Sequence, residues 1–294
     1  MSSRLSLAKD KSLISPPKWL PDNMQYEVIT GSVAYGVSND TSDMDIYGFA
    51  IPPKTDIFPH LRGEIPGFGL QHQRFNQFQQ HHVKDGCKEY DFTIYSIVKF
   101  FQLCMENNPN MVDTLFVPQR CVLFCTPIAQ LVRDNRKLFL HKGAYHKFRG
   151  YAYSQLHKIG NKANASNPNR QASIEAYGYD VKFAYHVIRL ALECEQILLE
   201  QDLDLERNRE LLKAIRRGEW SEQKIRDWFS AKEKQLDEAY NTSSLRHSPE
   251  QESIKQLLLS CLEQHYGSLH NAVMLDNKTA LLDELQAVIN KYTH

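Results

Sequence analysis

The chain has 294 residues, 42% of them apolar, which is enough for two domains and an ordinary globular core. Lys+Arg and Asp+Glu balance at 35 each, so net charge is silent about a polyanionic partner and only its distribution can speak. No apolar run approaches the length that spans a bilayer, and the polar start, Met1–Lys11, lacks the apolar centre of a secretory signal. A membrane protein is thereby excluded and a cytoplasmic one expected. Of six cysteines only Cys121 and Cys125 are close, and no second pair completes a zinc site, so reduced thiols are expected.

Met1–Ser15 reads as a short helix or a loose arm, closed by Pro16-Pro17, after which Lys18-Trp19-Leu20-Pro21 can pack on a core. Tyr26-Glu27-Val28-Ile29 is a run of strand formers. It leads into Gly31-Ser32, a small-residue turn that lets backbone N–H groups approach a phosphate. Asp43 and Asp45 then flank one apolar residue, and Ile46–Ile51 continues as a strand. Side chains alternate along a strand, so i and i+2 share a face and the two carboxylates stand side by side. Carboxylates that close repel each other, and a hard divalent cation is the usual remedy. An Asp-x-Asp pair alone also serves to cap turns. With the Gly-Ser turn upstream and strand formers on both sides, it has the parts that phosphoryl or nucleotidyl transfer requires.

Pro52-Pro53 stops the ladder. Residues 54–86 hold several Pro and Gly and then a Gln/His-rich run, Gln71–His82, without regular ligand spacing; a strand or flexible flap is expected there, not a metal site. Lys88–Ser96 reads as a strand running into a helix, with Asp91 as the candidate third carboxylate and Glu89 as its same-face rival. Ser96 caps a helix carrying Ile97 to Met105. Met111, Val112, Leu115 and Phe116 fall on helical spacing and belong in the core, and Val122-Leu123-Phe124 is a last strand.

From about Pro127 the periods become helical and the chain turns basic. Between Leu131 and Arg170 lie nine Lys/Arg and one acid, a net +8 that favours a phosphate-rich ligand over a solvated face. Tyr151, Gln155, Lys158 and Lys162 form one helix stripe there, with Arg149 beside it; these are the candidate RNA contacts, together with Arg189. Asn161–Arg170 reads as a mobile polar loop. Tyr177-Gly178-Tyr179-Asp180 opens a long helix, Val181–Leu199, whose polar stripe is Lys182, His186, Arg189 and Glu193. Lys182, His186 and Arg189, with Lys158, are candidate nucleotide contacts, though a lone His on a helix is as readily structural. Glu193–Glu210 reverses the sign with seven acids against two Arg. Ser221 caps a helix over Glu222–Lys234 with Trp220 docking it, and two more helices follow near Glu250–Gln264 and Lys278–Lys291.

The wording Gly31-Ser32-x-Ala34-Tyr35-Gly36, then Ser42-Asp43-x-Asp45, then Gly48-Phe49, resembles the nucleotidyltransferase core of the DNA polymerase beta superfamily. Within it the longer wording resembles one branch, the RNA-ligase-associated, RlaP-like predicted nucleotidyltransferases. Three later blocks continue the likeness: Phe148–Leu156, Gly178–Leu190 and Leu211–Ser221. The resemblance implies an α+β fold, with a polymerase-beta-like core of short mixed sheet and helices over 1–126. An all-helical, substrate-binding domain over 127–294 would follow, with the active site in the cleft between them. It further implies metal-dependent transfer of an NMP from an NTP, with Asp43, Asp45 and Asp91 as catalytic residues and ligands of Mg2+ or Mn2+. Gly31 and Ser32 would bind the triphosphate. The acceptor implied is an RNA end such as a broken tRNA, with an RNA ligase as partner. Two other readings stay open: nucleotidylylation of a protein side chain, and a non-catalytic antitoxin-like module. The three filled carboxylate positions argue against the second.

Overall fold

The computed structural model describes residues 2–38, 43–58, 74–160 and 168–267. Its strands are β1 (Met24–Ile29), β2 (Met44–Ala50), β3 (Gln77–Asp85), β4 (Lys88–Ser96) and β5 (Val122–Cys125). They form one mixed sheet in the order β3-β4-β2-β1-β5, in which β2 and β4 run parallel and the other neighbours antiparallel. The fold is α+β, as expected. Of the Gln/His-rich run, Gln77–His82 is strand, and Gln71–Gln73 lie outside the described residues.

Around the sheet lie α1 (Arg4–Asp10), α2 (Gly31–Ala34), α3 (Lys54–Ile57), α4 (Ile97–Met105) and α5 (Pro109–Phe116). After β5 the described chain is helical: α6 (Pro127–Asp134), α7 (Gly143–Ile159), α8 (Pro168–Tyr177), α9 (Val181–Glu200), α10 (Arg209–Arg216), α11 (Glu222–Thr242) and α12 (Gln251–Tyr266). The sequence marks where several of these begin. Ser96, Thr126, Asp180 and Ser221 each accept a first-turn N–H, and Pro127 occupies a first-turn position that needs no donor. The end of the expected polar loop, Pro168–Arg170, is helix; Asn161–Asn167 and the expected helix at Lys278–Lys291 lie outside the described residues.

Alternation gives the sheet two different faces. Ile46, Ala50, Phe92 and Ile94 point to the back, where Leu5, Ala8, Ile14 and Leu20 of the N-terminal arm cover them. The arm is therefore a docked helix. Its first-turn N–H groups on Arg4 and Leu5 donate to the buried Glu27 carboxylate of β1, the latter at 2.8 Å, and Ser3 caps the same turn. Burial pushes the Glu27 carboxyl up to about 7 in spite of those hydrogen bonds. Tyr26, Val28, Phe49 and Tyr95 point to the front and enter a core that runs without a break into α5, α7, α9 and α11. The helices thus stand over the front face, where the acids of β2 and β4 also emerge. All six cysteines are free thiols, and among the described residues no helix is long and apolar enough to cross a membrane.

Candidate active site

A cavity of about 570 Å³ opens between the front of the sheet and α8, α9 and α10. One wall is Thr30, Gly31, Ser32, Asp43, Asp45, Tyr47 and Asp91. The parallel register sets Asp45 directly opposite Asp91, so residues far apart in sequence become cross-strand neighbours on one face. Gly31 has φ +65°, and a Cβ there would lie 2.4 Å from Asp45 Oδ2, so both the turn and the carboxylate's position require glycine. Thr30 ties this turn to β2: its N–H and hydroxyl both donate to the Asp45 carbonyl, at 2.8 and 3.3 Å.

Burial holds the Asp45 carboxyl above its ordinary range, and the nearby charges of Asp91 and Asp43 push the same way; Lys182 and His81 oppose them. Oxygen donors crowded at like charge suit a hard divalent cation. The three carboxylates share the cavity without closing on one point. Among the described residues, the His/Cys/Asp/Glu group with all ligand atoms within 4.8 Å of one another is His82, Glu89 and Asp91. Of the two same-face acids on β4, Asp91 lines the cavity, whereas Glu89 turns outward to His82 Nδ1 at 2.5 Å.

The opposite wall comes from three helices. Asp180 accepts the N–H of Lys182 at 2.8 Å and of Phe183 at 3.3 Å, which starts α9 at the cavity. The expected polar stripe then descends into the protein: Lys182 is exposed, His186 half-buried and Arg189 buried. Arg170 of α8 and Arg216 of α10 complete the wall. Arg216 Nη1 donates to the Val37 carbonyl just beyond the Gly-Ser turn, and its guanidinium sits 5.4 Å over the Tyr185 ring. His186 stacks against Tyr185 at 4.2 Å. Burial and the charges of Arg189, Lys182, Arg216 and Arg170 hold it well below the usual imidazole range, so it is neutral.

Arg189 lines the cavity and is held through its Nη1, while its buried Nε has no hydrogen-bond partner among the described residues. Nη1 donates to Asp113 at 2.6 Å and to Glu193 at 2.9 and 2.7 Å, and the guanidinium lies 4.3 Å over the Tyr35 ring. Tyr35, the last large residue of the Gly-Ser motif, donates its hydroxyl to the same Asp113 oxygen at 2.6 Å. This buried network bolts the motif to α5 and α9. Arg170, Arg216, Tyr185, Asn110 and Ser173 are cavity residues that sequence reasoning missed. Arg216 lay within a block that resembles the family, but spacing could not separate it from Arg217, which turns to Glu219 at 2.6 Å.

The residues singled out for RNA are dispersed. Tyr151 is exposed on α7, while Gln155 is buried. Arg149 joins α7 to α11 through Glu233 at 2.8 Å and lies over the Tyr145 and Tyr153 rings. Lys158 sits 5.8 Å over the Phe183 ring and is not among the cavity residues; Lys162 lies outside the described residues. Much of the +8 run is engaged internally: Arg133 with the Val117 carbonyl at 3.2 Å, Lys137 with Asp202 at 2.6 Å, and buried Lys142 over the Tyr240 ring at 5.4 Å.

Residues 21–285 match the family described as "RlaP: RNA repair pathway DNA polymerase beta family". An uncharacterized 38.9 kDa protein from the nrdC-mobD intergenic region of Enterobacteria phage T4 is 28% identical over 136 residues, which is 46% of this chain and 38% of the phage protein. The chain thus spans well under half the length of that curated relative. A solved nucleotidyltransferase-like protein from Exiguobacterium sibiricum is similar at 8% identity with a TM-score of 0.29, covering 98% of this chain and 90% of that one.

Proposed function

Because the chain belongs to the RNA repair pathway DNA polymerase beta family, and is a nucleotidyltransferase of that type, we propose that it transfers an NMP from an NTP to an RNA end. The acceptor hydroxyl attacks the α-phosphorus, the bond to the β-phosphate breaks, and pyrophosphate leaves. The observation that carries this reading is one cavity with a carboxylate wall and a cationic wall facing each other. Nucleotidyltransferases of this superfamily generally use divalent metals, and the crowded oxygens of Asp43, Asp45 and Asp91 fit such ions. Those residues would hold Mg2+ or Mn2+, which when bound neutralises the triphosphate and eases deprotonation of the attacking hydroxyl.

The protein's own groups account for the rest. Gly31 and Ser32 offer backbone N–H groups and a hydroxyl to the phosphates, and Gly31 leaves Asp45 its place. Lys182, Arg170 and Arg216 face the triphosphate and would bind the charge it already carries before transfer. Neutral His186 donates a hydrogen bond there without adding another cation. Arg189, already compensated by Asp113 and Glu193, fixes the floor of the cavity through Tyr35. Asp91 stands beside the pair to orient the attacking hydroxyl and receive its proton. Tyr151, Lys158 and Lys162 are the acceptor contacts this reading retains on α7 and the segment after it. An RNA ligase acting on the finished end is the matching partner.

Incubation with each labelled NTP, Mg2+ or Mn2+, and a pool of RNAs tests the proposal by where the label goes. Label on RNA, lost in Asp45→Asn, is the expected result. Label on protein would move a protein side chain to first place as acceptor. No transfer from any NTP would leave the antitoxin-like module.

A further inference from the structure

The geometry points to a second metal site, built by His82, Glu89 and Asp91 at the outer edge of the sheet and selective for a borderline transition metal such as Zn2+. Two adjacent strands carry it, β3 with His82 and β4 with Glu89 and Asp91, and β2 lies next in line. Asp45 on β2 stands opposite Asp91 on β4, and β3 runs along the far side of β4. One ligand atom from each of His82, Glu89 and Asp91 lies within 4.8 Å of the other two. His82 Nδ1 is 2.5 Å from Glu89 Oε1, and the His82 N–H donates to Asp91 Oδ1 at 2.7 Å. His81 Nδ1 lies 3.3 Å from Asp91 Oδ2, on the other side of the same carboxylate.

An exposed His–Glu pair on a hairpin is the plain alternative, and such pairs contribute little. It leaves the backbone unexplained. The β3–β4 register slips between Gln80 and Val83, and His82 sits at φ +56°, the left-handed region that a non-glycine residue adopts at a cost. Bulges of this kind re-aim side chains next to sites. Here the slip brings both consecutive histidines to the acids of β4, which ordinary alternation would forbid. The set differs in kind from the inner carboxylates: imidazole nitrogen with two carboxylate oxygens favours Zn2+ over Mg2+, whereas oxygens alone favour the reverse. Around Zn2+ the ligand atoms would stand about 3.3 Å apart. His82 and Glu89 are solvent-accessible at 79% and 29%, so rotation of their side chains can close that gap. The ion would replace the proton shared between His82 and Glu89 and release it to solvent. It would also hold Asp91 from its outer side, joining a carboxylate of the cavity to a second ion.

Isothermal calorimetry with Zn2+, in excess Mg2+ to keep the inner oxygens occupied, tests the site on the full chain. A Cys87→Ser background removes the exposed thiol of the same hairpin. Saturable binding is expected, weakened by at least about tenfold in His82→Ala and in Glu89→Gln, and retained when Asp43 and Asp45 are both changed to Asn. Absence of binding, indifference to both His82→Ala and Glu89→Gln, or loss of binding in the Asp43/Asp45 variant overturns the site. No NTP or RNA enters the titration, so its failure and the failure of nucleotidyl transfer are separate results.

Discussion

The two walls of the cavity are each crowded with charge of one sign. On the sheet wall, burial and the neighbouring carboxylates raise Asp45. On the helical wall, burial and four neighbouring cations depress His186. Neither wall is electrostatically at ease alone, and each offers what the other's natural ligand needs. Cations would settle the acids and a polyanion the bases, so the metal-bound NTP proposed above is complementary to both walls as neither part would be by itself. The walls also differ in how they are built. Asp45 and Asp91 are positioned by strand alternation and register, with Asp43 just ahead of β2, and the bases by the packing of three helices.

The sheet wall should be the more sensitive to change. Asp45→Asn keeps the shape but removes a charge, and nucleotide incorporation should fall by at least about a hundredfold, several kcal/mol of metal-based stabilisation. The folded-state pKa of Asp45 is raised, so its ionisation costs stability as pH rises above the ordinary carboxylate range. The metal-free variant should therefore melt at a higher temperature than wild type at pH 7, and a lower one would contradict the crowding. Gly31→Ala should lose about ten- to a hundredfold in incorporation with its circular dichroism spectrum unchanged, because the added Cβ meets Asp45 Oδ2 and the left-handed φ resists it. Wild-type turnover in that variant would detach the turn from the carboxylates.

The helical wall should respond in binding more than in turnover. Arg216→Ala removes a cation from the cavity and the brace on the Val37 carbonyl, and the KM for NTP should rise by about tenfold with a smaller change in kcat. Equal falls in kcat and kcat/KM, with KM unchanged, would assign Arg216 to the transition state alone. The smallest effect should be in pH dependence. His186 has a folded-state pKa well below its ordinary value of 6.5, so the stability it contributes is present above that value and is lost as pH falls. Wild type should lose melting temperature more steeply than His186→Gln between pH 7 and 5, and inorganic triphosphate should narrow the difference. Parallel pH profiles would mean that neither burial nor the four cations act on this ring.

Much of the sheet side was legible in the chain. Gly31-Ser32 and Asp43-x-Asp45 lie close in sequence, and the rule that i and i+2 share a face needs no knowledge of the fold. The caps at Ser96 and Ser221 were readable for the same local reason. The helical side was legible only as stripes. Spacing put Lys182, His186 and Arg189 in line, yet could not say that the line runs from solvent into the core, where Asp113 and Glu193 hold Arg189. It likewise grouped Tyr151 with Gln155, one of which is exposed and the other buried.

What the sequence determined by itself is therefore the motif, the strand and helix periods, and the charge carried by each segment, because these depend on residues a few positions apart. The tertiary structure alone decided which charges meet. It set Asp91 against Asp45 through a parallel register and brought Arg170 and Arg216 to Lys182 from separate helices. It also slipped β3 so that His82 reaches Glu89. Those pairings depend on long-range strand register and helix packing, which are fixed by burial of the whole core and by no local spacing.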